Sequence, residues 1–173
     1  MKDWENMRDF AIKLILHSLQ HRLEIAEVED KIVNERVIIL HLDHATELLM
    51  KAFLIKEGYF IQQLDNVKIK KGINKITKIK DLLNEKKTIE YVDCLEIISR
   101  EINFDSNEKD KIKRFHYLRN EIQHRALDIP LDKGEKIEEF APVLYNLYKK
   151  MFPDNVNIIE GMLIEPQEEE LFE

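Results

Sequence analysis

One stretch of this 173-residue chain gathers residue types that can do chemistry on a phosphodiester: Arg119-Asn120-Glu121-Ile122-Gln123-His124. Arginine grips a phosphate with two parallel donors, histidine exchanges protons near neutral pH, and asparagine orients a neighbour. Asn120 and His124 are four apart, so on a helix they share a face about 40° apart in azimuth. Arg119 lies five before His124, roughly 140° round, so one straight helix does not bring the two head groups together. Either Arg119 curls its long side chain round, or both residues face a groove to which a second surface contributes. A two-fold homodimer supplies such a groove, because each copy of the helix presents the same residues to its mate. The same six positions also fit a surface arginine and a satisfied histidine on an ordinary helix.

Other histidines and the one thiol are further candidates for chemistry. His17 and His21 are four apart with Glu24 near, and His41 and His44 are three apart. Such spacings can set ligands on one helix face, but a two-metal carboxylate bundle wants Glu-x-x-His pairs on two separate helices, and the chain does not supply two. His41 and His44 fall on an apolar stripe, where a histidine bonded to a core neighbour is the commoner case. Cys94 has no histidine near it in sequence, and neither a Gly-rich phosphate loop nor a nucleophile elbow occurs. No metal and no cofactor is expected.

Composition bounds the rest. Apolar residues are 44% and charged ones 35%, with four Gly and four Pro, a mixture that suits helices joined by short loops. One cysteine forms no internal bridge, the first residues lack a signal-peptide pattern, and no apolar run approaches the ~18 residues of a membrane span. A cytoplasmic protein with no membrane partner is expected. The net charge is −7. Residues 154–173 hold seven acids and no Lys or Arg, so the preceding body is neutral. Within it, residues 68–87 carry eight lysines against Asp81 and Glu85, and residues 109–125 carry six Lys or Arg against Asp110 and Glu121. Stripes of this kind can hold a polyanion on an acidic protein, or can be solvated helix faces.

The elements that must position these residues follow from apolar spacing. Residues 4–28 place Met7, Phe10, Ala11, Leu14, Ile15 and Ser18 on one face of a helix. Residues 30–57 repeat Val33, Val37, Leu40, His41, His44, Ala45, Leu48, Leu49, Ala52 and Phe53 at helical steps and stop at Gly58. Residues 59–71 are ambiguous, with 59–61 readable as extended. A Lys-coated helix is predicted over 73–86 and another over 88–102. Asp105-Ser106-Asn107-Glu108 reads as a capping box, with Asp105 accepting from the first turn and Glu108 reaching back. It opens the helix that carries Arg119 and runs to about residue 127. Pro130 closes that stretch, and a last helix spans 133–151 before Pro153. The expectation is an all-α, single-domain bundle of five or six helices over 1–153, followed by an acidic, mobile tail over 154–173. Ile158, Ile159, Met162, Leu163 and Ile164 are apolar enough to dock on this chain or a partner.

Arg, a polar residue, three more and then His, late in the chain on a capped helix, resembles the signature of the HEPN superfamily. A second segment on the second helix, His44-Ala45-Thr46-Glu47-Leu48-Leu49-Met50-Lys51-Ala52, is similar to one that such domains place early in their bundle. The resemblance covers roughly residues 5–150. It implies a HEPN-like helical domain and a metal-independent endoribonuclease, of the kind found in toxin–antitoxin and phage-defence systems. His124 would move the proton as an RNA 2′-hydroxyl attacks phosphorus, Arg119 would stabilise charge in the transition state, and Asn120 would hold either in register. Glu47 would support the motif helix, or be a surface residue of an ordinary one. RNA would be the substrate, with Lys68, Lys70, Lys71, Lys75, Lys78, Lys113 and Arg114 guiding it. The partners implied are a second copy and an antitoxin or defence protein. Some members carry a Tyr two places after the His that a partner enzyme modifies; Ala126 stands there, which argues against that control. The alternatives are a catalytically silent helical dimer that binds RNA or protein, and an adaptor that docks through its tail. The tail could also act as an internal decoy for RNA.

Overall fold

Six consecutive residues, Leu49 to Leu54, are buried whichever way they point. A helix covered on every side belongs at the centre of a bundle rather than on its rim. That helix, α2 (Lys31–Lys56), touches all four others: α1 (Asp3–Glu24), α3 (Tyr91–Glu101), α4 (Ser106–Arg125) and α5 (Glu135–Met151). The computed structural model describes residues 3–24, 31–59, 89–125 and 135–155. Among them are five α-helices, a closing 3-10 turn (Pro153–Asn155) and no strand. The protein is an all-α, single-domain bundle.

Helix ends follow local chemistry. α2 stops at Gly58, whose φ of +81° is the left-handed conformation a side chain disfavours. Gly58 N–H donates to Ile55 O and Tyr59 N–H to Leu54 O, at 3.0 and 2.7 Å, the paired bonds of a Schellman cap. α3 ends the same way on a non-glycine, with Asn103 at φ +49° and Phe104 N–H bonded to Ser99 O. Asp105 caps α4, its Oδ1 accepting from the N–H groups of Asn107 and Glu108 at 2.9 and 3.1 Å. The reciprocal half of the box is replaced: Glu108 accepts instead from Asn146 of α5 at 2.5 Å, so it ties two helices together.

The core differs in phase from the expected faces. On α1, Ala11, Ile12, Ile15 and Ser18 are buried, while Phe10 points out at 52% exposure. On α2, His44 is exposed, whereas Asp43 and Thr46 are fully covered. A central helix buries polar positions that a one-sided stripe would place outside. Thr46 satisfies its hydroxyl on Leu42 O at 2.7 Å. Phe115 of α4 stacks on Phe140 of α5, with ring centroids 3.6 Å apart. Asp154 and Asn155, the first residues of the expected tail, belong to the 3-10 turn, where Asn155 accepts from Arg8 and from Tyr148. The helix expected over 73–86, the ambiguous 60–71, the stretch around Pro130, and residues 156–173 lie outside the described residues. No described helix is long and apolar enough to cross a membrane.

Candidate functional site

Asp43 is the group that organises the site. Its side chain is 1% exposed, at the middle of the central helix, and a carboxylate there must find partners or carry a large desolvation cost. The partners come from α4. His116 places Nδ1 at 3.2 and 3.1 Å from the two carboxylate oxygens. Arg119 brings Nε to 3.6 Å from Oδ2, an ion pair too long to count as a hydrogen bond. Asn120 links the two: Arg119 Nη1 donates to its Oδ1 at 2.8 Å, and its Nδ2 lies 3.2 Å from His116 Nε2. Four side chains therefore close a ring, Asp43–His116–Asn120–Arg119, across the α2–α4 contact.

The ring is backed by an aromatic wall. Tyr91, the first residue of α3, stacks on His116 with centroids 3.9 Å apart and planes 12° from parallel. Its hydroxyl is buried and has no hydrogen-bond partner among the described residues. Burial first, and the negative charge of Asp43 next, push its ionisation well above the ordinary tyrosine value. Tyr91 is thus a neutral, rigid plate against the imidazole.

The expected site residues divide. Arg119 and Asn120 contact each other, and Arg119 also faces Asp43. Arg119 stays 27% exposed, and its two remaining Nη2 protons have no partner among the described residues. His124 is exposed one turn beyond Asn120 on the same face, so α4 carries a stripe of His116, Asn120 and His124 at steps of four. Glu47 is half-buried on α2 and paired with Lys51 at 2.5 Å. Lys113 turns toward α3, where it and Lys109 each reach Glu96 at 2.7 Å. The bond from Lys109 and then that from Lys113 lower the Glu96 carboxyl below its ordinary value, and Glu96 raises Lys113 in return. Arg114 faces the other way, lining a cavity of about 250 Å³ with Lys111, Phe115, Leu118, Glu139 and Phe140. Lys113 and Arg114 therefore do not form one surface. Lys68, Lys70, Lys71, Lys75 and Lys78 lie outside the described residues, as does Ala126.

Elsewhere, His17 and His41 face each other from α1 and α2 with ring centroids 5.8 Å apart. Among the described residues no three His, Cys, Asp or Glu side chains gather at metal-ligand spacing. Cys94 is buried, which pushes its thiol up to about 12.

Two members of the ring, Asp43 and His116, were not singled out in the sequence. Both left signals. Asp43 is a lone acid between Leu42 and Ala45 on an apolar helix, and His116 precedes Asn120 by one turn. Compared with protein-family models, curated proteins and solved structures, the chain matches none of them.

Proposed function

We propose that this chain is a metal-independent endoribonuclease of the HEPN type, acting as a homodimer with the motif helix α4 along its seam. The observation that carries the reading is the pairing of a fixed anion grip with an open imidazole. Arg119 is held by Asp43 and Asn120 with one guanidinium edge unpaired among the described residues, and His124 stands exposed one turn beyond Asn120. One His124 takes the proton of the RNA 2′-hydroxyl as that oxygen attacks phosphorus. The leaving 5′-oxygen receives a proton from the His124 of the second copy, giving a cyclic phosphate and a 5′-hydroxyl. Arg119 stabilises the charge that builds on the phosphoryl oxygens, where a preorganised donor contributes most. Exposed Tyr117, at 58%, lies seven residues before His124 on the same face and would be covered by the second copy. The setting proposed is toxin–antitoxin or phage defence in the cytoplasm, with an antitoxin or defence protein as partner; it rests on the motif resemblance.

The test is RNA cleavage in EDTA. Wild-type protein should cut and leave 2′,3′-cyclic phosphate ends, while His124→Ala and Arg119→Ala should each lose at least ~100-fold in rate. Cleavage that needs added magnesium, or that survives both changes, refutes the mechanism. A second reading is favoured by the ion pair itself: Arg119 neutralises buried Asp43, a structural duty that a silent RNA- or protein-binding dimer would also need. That reading predicts intact RNA at high protein concentration and binding that survives His124→Ala.

A further inference from the structure

The ring fixes its own protons. Arginine only donates, so the Asn120 atom 2.8 Å from Arg119 Nη1 is the amide oxygen. The other amide atom is then the NH2 group, and it faces His116 Nε2 at 3.2 Å. A donor needs an acceptor, so Nε2 carries a lone pair and His116 is the neutral tautomer protonated on Nδ1. That proton points at the Asp43 carboxylate, whose Oδ2 is 3.1 Å from Nδ1. Every member then has one consistent role: Arg119 donates to Asn120, Asn120 to His116, and His116 to Asp43. Turning the amide over would set its NH2 against the guanidinium and its oxygen against a lone pair, so the ring resists the flip.

We infer that His116, oriented by Asp43 and braced by Tyr91, is a positioning residue that fixes the Asn120 amide and, through it, the guanidinium of Arg119. His116 is 14% exposed, and its two ring nitrogens are both engaged within the ring. It acts on bound phosphate only through Arg119. Its kinetic consequence rests on the ribonuclease reading, whereas its structural consequence does not.

The experiment has both arms. In 15N-labelled wild type at neutral pH, His116 should show a protonated Nδ1 and a bare Nε2, with a distinct Arg119 Nε–H resonance. His116→Phe keeps the stack on Tyr91 but removes the acceptor, and the Arg119 resonance should broaden away. In cleavage assays His116→Phe should lower kcat about 10- to 100-fold, the cost of a slightly misplaced group. KM for an RNA oligonucleotide should stay within about threefold, because the loss belongs to the transition state. His116→Gln, whose amide oxygen can stand where Nε2 stood, should recover about tenfold of that loss. Combining His116→Phe with Asn120→Ala should cost no more than Asn120→Ala alone. An Nε2-protonated tautomer, additive kcat losses in the double variant, or no recovery in His116→Gln each overturn the proposal. If wild type cuts no RNA, the ribonuclease reading falls by itself. The resonances then decide: an Arg119 signal unchanged in His116→Phe overturns positioning, and its loss supports it.

Discussion

Replacing Asp43 with alanine removes the acid that two α4 side chains face, and the structure sets the size of the loss. Unit charges 3.6 Å apart, the Asp43–Arg119 separation, attract by about 1 kcal/mol in bulk water and about 4–5 kcal/mol at an effective dielectric near 20. Arg119 keeps 27% of its side chain in solvent while Asp43 keeps 1%, so the coupling falls between these limits, about 2–3 kcal/mol. The charge-assisted bond from His116 adds about 1.5–3 kcal/mol, of which rehydration of a 14% exposed ring returns part. Together Asp43→Ala should destabilise by about 3–5 kcal/mol, the range seen when one partner of a buried pair is deleted. For a chain of this size that lowers Tm by on the order of 10 °C. Urea unfolding followed by circular dichroism should show a lower midpoint with an unchanged slope. Asp43→Asn, which keeps an acceptor for His116 Nδ1–H and loses only the charge, should cost about half as much. In the cycle with Arg119→Ala the coupling should be about 2 kcal/mol. A loss below about 1 kcal/mol for Asp43→Ala, or additive effects in the cycle, would show that the ring contributes no net stability and refute the reasoning.

Two further outcomes are expected. Cys94 should resist thiol reagents in the native protein and react fully in urea. Because burial raises its thiol to about 12, the unfolded chain releases this proton first, so stability should begin to fall near pH 9 as alkali is added. Reaction of the native protein at neutral pH, at the rate of the unfolded chain, would contradict the burial. Asp105→Ala removes the acceptor for two N–H groups at the start of α4 and should cost about 1 kcal/mol, while Asp105→Ser should restore most of it. No change in the urea midpoint would show that this cap is dispensable.

Helix type and ends were largely legible because they depend on local chemistry. Gly58 stops α2 by the left-handed geometry that glycine accepts, and Asp105 opens α4 with a side-chain acceptor, both read from neighbouring residues alone. Burial phase was less legible, since it depends on how many neighbours a helix has. Four other helices contact α2 from several sides, so Asp43 lies inward while His44 faces out, against a one-sided stripe. Arg119 and Asn120 stood out by residue type, but the tie of Arg119 to Asp43 did not. It joins positions far apart in sequence, and local periodicity carries no information about such a contact. Glu108 shows the same limit at a smaller scale, its carboxylate drawn from the expected cap to Asn146 of a later helix.

The ring also has a consequence in time. Asp43 leaves the ribosome long before His116, Arg119 and Asn120, with 73 residues separating the first two. Closing so long a loop costs entropy that only the docking of α4 on α2 recovers. Until then the guanidinium is an ordinary solvated side chain with no fixed bearing on a phosphate. A nascent or partly unfolded chain therefore has the residues of the site without the site, so the anion grip comes into being only with the finished bundle.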